Sequence, residues 1–193
     1  MNKKVTIKQI VGTGLLLALE IIFQIIGNYL QFGPVNINLS LLTIVLAAVL
    51  YGPLSGAVVG FFNGLMALLS PSTLAIFMPI SPVGTVLACL TKTTLAGLFS
   101  GLIFNLFKNK NKILGLVLAA LIVPITNTGI FVVCSLLFFR PFLESGVGDV
   151  YPNIGAFLVF GVIGLNFIFE IITTVVLSVI TGMVILKRPV KGN

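Results

Sequence analysis

The chain has 193 residues, of which 58% are hydrophobic and only 8% are charged. Soluble domains carry about 25% charged residues, so this composition indicates an integral membrane protein. No G-x-x-x-x-G-K-[ST] phosphate-binding loop occurs, and we expect no ATP hydrolysis by the chain itself. Histidine is absent, which excludes histidine-dependent proteases and phosphatases, and Asp149 is the single aspartate, which excludes an aspartyl pair. We therefore predict no catalytic residues, no metal site and no cofactor.

The basic residues are concentrated in three clusters, and their placement predicts the topology. With six spanning helices, the three clusters fall at the N-terminus, in the fourth connection and at the C-terminus, all on one side of the bilayer. The positive-inside rule makes that side cytoplasmic, so both termini are predicted to be cytoplasmic. The net charge of +7 is thereby explained without nucleic acid as a partner. The clusters are Lys3, Lys4 and Lys8; Lys108, Lys110 and Lys112; and Lys187, Arg188 and Lys191.

The hydropathy pattern predicts one domain over residues 1–193, an all-α bundle of six transmembrane helices embedded in the lipid bilayer. A spanning helix needs roughly 20 apolar residues, so the second helix is short for a span and the sixth is long enough to need tilt. The proline-containing segment 70–82 is too short to span, and it is predicted either to be a lid over a bound molecule or to seal the bundle. The approximate helices are 7–30, 39–51, 53–69, 83–107, 113–139 and 154–186.

The first helix carries two distinct faces. Glu20, Gln24 and Asn28 recur every four residues and therefore form one polar stripe. Gly14 and Ala18 form a small-xxx-small pair nearer the cytoplasmic end, a pattern typical of close helix packing.

The third helix has glycine at every fourth position, at Gly56, Gly60 and Gly64. A row of glycines makes a smooth groove that another helix backbone can approach closely. We expect this face to serve packing.

Polar residues of the last three helices lie at one depth. Counted at ~1.5 Å per residue, Lys92, Asn127 and Asn166 lie roughly 15–18 Å below the outer ends of their helices. Glu170 lies one turn deeper. A lysine at the bilayer centre costs about 2.5–3.5 kcal/mol and needs a partner. Either Lys92 pairs with Glu170 or Glu20 and only holds the bundle together, or it binds an anionic group of a substrate; the second is favoured because intramembrane ionisable residues usually mark function.

Three motifs, together with chain length and topology, carry a family resemblance. Gly14-x-x-x-Ala18 is similar to an Ala-x-x-x-Ala face on the first helix, with glycine in place of the usual alanine. Tyr51-Gly52-Pro53-Leu54-x-Gly56-x-x-x-Gly60 resembles a glycine-rich start of the third helix. Pro124-Ile125-Thr126-Asn127-Thr128-Gly129-x-Phe131 resembles a fifth-helix segment of members assigned to pantothenate or to unidentified substrates. The family that these motifs resemble is the substrate-binding S component of energy-coupling factor (ECF) vitamin transporters.

The resemblance implies a transport subunit that captures a small vitamin from outside the cell, among the fourth, fifth and sixth helices. It implies docking through Gly14 and Ala18 on a transmembrane coupling subunit, on which the loaded protein topples, with two partner ATPases supplying energy. It also implies the plasma membrane of a prokaryote. The candidate binding residues are Lys92, Asn127, Asn166, Glu170, Thr126, Gln24, Asn28 and Phe131.

The substrate is predicted from the chemistry of these side chains. A lysine with amide and hydroxyl neighbours suits a small carboxylate with polar groups, which favours pantothenate. Riboflavin or another vitamin is the alternative within the family, although riboflavin would need more aromatic stacking. A self-sufficient secondary transporter is the alternative from another class, and the absence of an evident inverted repeat disfavours it.

Overall fold

The computed structural model describes residues 6–29, 31–32, 35–36 and 38–187, with side chains for residues 6–27 and 38–185. Almost every described residue is helical, apart from turns and two paired two-residue strands. The strands β1 and β2 are Gln31–Phe32 and Val35–Asn36, and the α-helices α1 to α8 are Ile7–Tyr29, Leu41–Tyr51, Pro53–Leu68, Pro82–Phe107, Lys112–Phe138, Arg140–Ser145, Ile154–Ala156 and Gly164–Lys187. Two π-helical segments, Thr73–Phe77 and Phe157–Ile163, complete the described structure.

Four helical stretches within the described residues are long and apolar enough to cross a membrane. They are Ile7–Gly27, Pro82–Phe107, Lys112–Phe138 and Ile154–Ile185. The two other apolar helices, α2 and α3, have 11 and 16 residues and are shorter than a full span. The chain is therefore an all-helical, multi-pass membrane protein with one small hairpin.

Helix α2 forms the centre of the bundle. Its first nine residues are buried, and Leu41, Ile44, Val45 and Ala47 are inaccessible to solvent. A helix that is apolar on every side is stable only when other helices surround it. Residues of α4 and α5 complete this core, among them Phe104, Leu116, Ala119 and Val123.

The glycine face of α3 packs directly on the backbone of α4, which confirms the predicted packing role. A Cβ atom at Gly60 would lie 2.1 Å from the Thr93 carbonyl oxygen, and one at Gly97 would lie 2.1 Å from the Gly56 carbonyl oxygen. Only glycine allows this separation between the two helices. The contact fixes the height of Thr93, and therefore of the neighbouring Lys92, against α3.

The stretch predicted as the sixth helix, 154–186, is helical along its described length but changes its helical geometry. A short α7 leads into the π-helical segment Phe157–Ile163, and α8 begins at Gly164 with φ +36° and ψ −139°. That backbone conformation is open to glycine and unfavourable for other residues. The hydropathy of the stretch is continuous across this point, so composition alone does not reveal the break.

Candidate functional site

A cavity of about 330 Å³ lies between α4, α5 and the divided sixth helix. It contains Lys92, Asn127 and Asn166, which the sequence places at one depth, and the rotation of each helix turns these side chains toward one another. Two phenylalanines and two aliphatic residues supply the apolar part of its wall. The lining residues are Ser72, Lys92, Asn127, Thr128, Phe131, Val162, Ile163, Asn166, Phe167 and Glu170.

Glu170 is held on one wall of this cavity by donors from α5. Asn127 Nδ2 donates to Glu170 Oε1 at 3.5 Å, and Thr128 Oγ1 donates to Glu170 Oε2 at 3.4 Å. The side chain of Asn38 also approaches this carboxylate from the segment before α2. These contacts orient the carboxyl group of Glu170 in the cavity.

Asn127 is 8% exposed, and its side-chain oxygen has no hydrogen-bond partner among the described residues. Buried polar atoms in proteins are nearly always paired. The unpaired Oδ1 is therefore an acceptor that a bound molecule with a hydroxyl or N–H group can satisfy.

Lys92 shares this cavity with Glu170 but does not form an ion pair with it. Within the described part of the chain, the one nitrogen–oxygen contact between opposite charges within 4.0 Å is Arg140–Glu144, on the surface. The Lys92 ammonium instead lies 5.5 Å from the centroid of the Phe131 ring, a cation–π contact that leaves it available to an anion.

Glu20 is part of a separate, fully buried cluster and not of the Lys92 cavity. Its carboxylate accepts hydrogen bonds from Thr43 Oγ1 and from Asn63 Nδ2, the latter at 2.5 Å. Asn63 Nδ2 also donates to Ser40 Oγ at 2.6 Å. This cluster joins α1, α2 and α3, and it excludes Glu20 as the partner of Lys92.

Two predicted binding residues, Thr126 and Gln24, are half-buried but do not line the cavity. The side chain of Asn28, a third, lies outside the described residues. For Gln24, spacing along α1 predicts that it shares a face with Glu20 but does not predict which way that face turns, and Glu20 turns toward α2 and α3.

Sequence reasoning missed five lining residues: Ser72, Thr128, Val162, Ile163 and Phe167. Ser72 belongs to the proline-containing segment 70–82, predicted either as a lid or as a seal, and Thr128 belongs to the fifth-helix motif, so both positions were partly signalled. The other three lie at the break in the sixth helix. Gly161 and Gly164 were the available signal, because paired glycines in an apolar helix often mark an irregular backbone.

The segment that follows α3 lies beside this region and makes aromatic contacts there. Phe77 packs against Phe131, Phe139 and Phe142, with ring centroids 5.7, 4.8 and 5.2 Å apart. A smaller cavity of about 100 Å³ is lined by Phe77 and shares Lys92 and Phe131 with the larger one. One ring of this segment therefore contacts three others next to the cavity.

The small-residue face of α1 is open. Gly14 and Ala18 are both exposed, and nothing lies within 4 Å of a Cβ atom placed at Gly14. Beside Gly14, an apolar groove of about 510 Å³ runs between α1 and α3, lined by Gln9, Ile10, Thr13, Gly14, Leu17, Tyr51, Leu54, Ser55 and Val58.

Comparison with known proteins gives one match, to a family. The sequence model described as "ECF transporter, substrate-specific component" matches residues 8–185. No curated protein and no solved structure matches the chain. The family is that of a substrate-binding transport subunit and not of an enzyme. Because the match covers nearly the whole chain, this protein belongs to the family of substrate-specific components of ECF transporters.

Proposed function

We propose that this S component binds a small anionic vitamin, with pantothenate as the best candidate, in the cavity between Lys92 and Glu170. The observation that supports the proposal is that these two groups line one cavity without a contact salt bridge between them. Lys92 is half-buried beside the Phe131 ring and interacts with Glu170 only at longer range, so a bound molecule that contacts both groups would be favoured. The Lys92 ammonium would bind the carboxylate, and the Glu170 carboxylate would accept hydrogen bonds from hydroxyl or amide groups.

The size of the cavity supports a small ligand. Ligand pockets are usually about 300–1,000 Å³, and this one is near the lower limit. Asn127 and Asn166 would hydrogen-bond the polar groups of the ligand, and Phe131 would contact its apolar part. Gln24 and Thr126 remain proposed binding residues only if α1 or α5 moves toward the cavity when substrate binds, and Asn28 also remains a proposed binding residue.

Riboflavin is the second candidate, and one observation favours it. Phe131 and Phe167 both line the cavity, so aromatic rings are available for stacking. A flavin does not, however, need the cation that Lys92 supplies.

The transport cycle proposed here follows from the family and from the exposed face of α1. Six spans, with α2 and α3 crossing despite their length, would place both termini in the cytoplasm of a prokaryotic cell, with the protein in its plasma membrane. Gly14 and Ala18 would dock on the coupling subunit, and the loaded protein would topple there while two partner ATPases drive release. Small residues on α1 and on the helix of the coupling subunit would allow the two helices to approach closely.

The proposal is tested by purifying the protein in mild detergent and identifying what remains bound by mass spectrometry. Pantothenate in the small-molecule fraction, and a coupling subunit with ATPases in the protein fraction, are the expected results. Equilibrium binding of radiolabelled pantothenate and of riboflavin to the stripped protein then compares the two vitamins. Uptake of either vitamin by the protein alone in proteoliposomes, without ATPases, would favour a self-sufficient transporter and contradict the proposal.

A further inference from the structure

Asn38 contacts Glu170 from outside the cavity. It lies in the short segment between β2 and α2 and does not line the cavity, yet its side chain is a hydrogen-bonding partner of the Glu170 carboxyl group. Both β2 and α2 contact α8, the helix that carries Glu170. The backbone on each side of Asn38 is therefore held against the helix that supplies one wall of the site.

Ser40 fixes the orientation of the Asn38 amide. Ser40 Oγ donates to Asn38 Oδ1 at 2.5 Å, and the Ser40 backbone N–H donates to the same oxygen at 3.3 Å. Because two donors occupy Oδ1, the Nδ2 group is the part of the amide that is left to face Glu170, and an amide nitrogen donates and does not accept.

Asn63 fixes the Ser40 hydroxyl in turn. Asn63 Nδ2 donates to Ser40 Oγ at 2.6 Å, so the hydroxyl oxygen is an acceptor toward Asn63 and its one proton goes to Asn38. Asn63 and Ser40 are 2% and 0% exposed. The donors therefore point in one direction along a hydrogen-bonded row, Asn63 to Ser40 to Asn38, that ends at Glu170. Bonds in such a row polarise and strengthen one another.

The contacts of Glu170 with α5 leave room for this additional support. The bonds from Asn127 Nδ2 and Thr128 Oγ1 are 3.5 and 3.4 Å long, and hydrogen bonds of these two types are usually shorter than about 3.2 and 3.0 Å. Both donors lie on one helix. A donor from the segment before α2 reaches the carboxyl group from another part of the chain and so limits its rotation.

We propose that Asn38 is a positioning residue of the substrate site, oriented by Ser40 and Asn63 so that it holds the Glu170 carboxyl group in place for the bound substrate. Ser40 and Asn63 do not line the cavity, and they act on the substrate only through Asn38. Substrate affinity therefore depends on buried residues outside the cavity wall. This inference rests on the proposed binding function and adds the residues that orient one of its groups.

The test is equilibrium binding of radiolabelled pantothenate to purified protein, with the active fraction of each variant taken from the stoichiometry at saturation. Asn38→Ala should weaken binding roughly tenfold, because it removes a donor to a charged acceptor. Ser40→Ala should weaken it less, since Asn38 stays but its amide is no longer oriented. Ser100→Ala is the matched control, because Ser100 is equally buried and donates to the Ala119 carbonyl oxygen, outside the hydrogen-bonded row. It should bind like the wild type.

The double variant Asn38→Ala with Ser40→Ala separates positioning from general damage to packing. If Ser40 acts through Asn38, the double variant should bind like Asn38→Ala alone, whereas independent effects would multiply the two losses. Multiplied losses, or wild-type affinity in either single variant, would overturn the proposal.

Asn38→Asp keeps the proposal falsifiable if Asn38→Ala does not fold. The aspartate has the same shape and keeps an oxygen for Ser40, but it cannot donate to Glu170, so binding should weaken at least roughly tenfold. Wild-type affinity in Asn38→Asp would also overturn the proposal. If Lys92→Ala loses binding while the Asn38 variants keep it, the binding function stands and this inference fails. If the wild type binds no pantothenate, the pantothenate assignment and this inference both fail.

Discussion

Lys92 on α4 and Glu170 on α8 line one cavity, yet their charged groups are more than 4.0 Å apart. They do not form a contact salt bridge, although Lys92 interacts electrostatically with Glu170 at longer range, so we propose that a ligand binds between them. Asn127 and Thr128 hold Glu170 back on its own wall. The space between the two charges is where we expect the substrate.

Glu170→Gln should weaken pantothenate binding about tenfold. A hydrogen bond to a carboxylate contributes roughly 1.5–3 kcal/mol, and a hydrogen bond to a neutral amide contributes less. The glutamine keeps the shape of the side chain, so the fold should persist. Glu144→Gln is the matched control, since Glu144 is exposed and pairs only with Arg140 among the described residues. Equilibrium dialysis measures both. If Glu170→Gln and Glu144→Gln bind pantothenate with equal affinity, Glu170 does not contact the ligand.

Gly60→Ala should destabilise the bundle, because the new Cβ atom would lie 2.1 Å from the Thr93 carbonyl oxygen and would force α3 and α4 apart. Overpacking of this kind costs about 1–3 kcal/mol. Gly14→Ala is the control, since that position has open space around it. Thermal unfolding of the isolated protein in detergent should show a lower midpoint for Gly60→Ala only. A midpoint equal to that of the control would contradict the packing described for α3.

Glu20→Ala should lower stability without acting through the cavity. It would leave one N–H of the Asn63 amide without an acceptor in a fully buried place, which costs about 1–3 kcal/mol, whereas Thr43 Oγ1 keeps its hydrogen bond to the Ser40 carbonyl. Glu20→Gln should cost less, because the amide oxygen still accepts. Thermal unfolding gives the order, with Glu144→Ala as an exposed control. If Glu20→Ala unfolds at the wild-type temperature, the buried cluster contributes nothing measurable.

Gly14→Leu combined with Ala18→Leu should preserve substrate binding and abolish association with a coupling subunit, because two leucine side chains would fill the exposed face that the partner helix needs. Gly129→Leu is the matched control, since it adds a leucine to an exposed position on α5. Co-purification and vitamin uptake are the measurements. Normal transport by the double variant would show that docking uses another surface.

Helical rise is regular, and this explains what the sequence could predict. Lys92, Asn127 and Asn166 could be placed at one depth by counting residues, and the cavity contains all three. Five predicted helices, the first to the fifth, have ends within two residues of the observed ones where the chain is described. The depth of a residue and the length of a helix both depend on distance along the helix axis, which follows from the number of residues between two positions.

Rotation about a helix axis and local backbone breaks were not predictable in the same way. The spacing of Glu20 and Gln24 predicts that they lie on one face of α1 but not which neighbouring helix that face meets. In the structure, Glu20 meets Thr43 of α2 and Asn63 of α3. The break at Gly164 depends on one φ angle inside a stretch of unbroken hydropathy. Tertiary contacts decide both, so Val162, Ile163 and Phe167 were found only in the structure.

The most direct test of the proposed site is the affinity of purified protein for radiolabelled pantothenate, compared between wild type, Lys92→Ala and Lys110→Ala. Lys110 is an exposed lysine in the connection between α4 and α5, so it controls for loss of one positive charge. Loss of the Lys92 ammonium from the cavity should weaken binding on the order of 100-fold, with Lys110→Ala unchanged and both variants folded. Wild-type affinity in Lys92→Ala would contradict the proposal that Lys92 holds the substrate carboxylate.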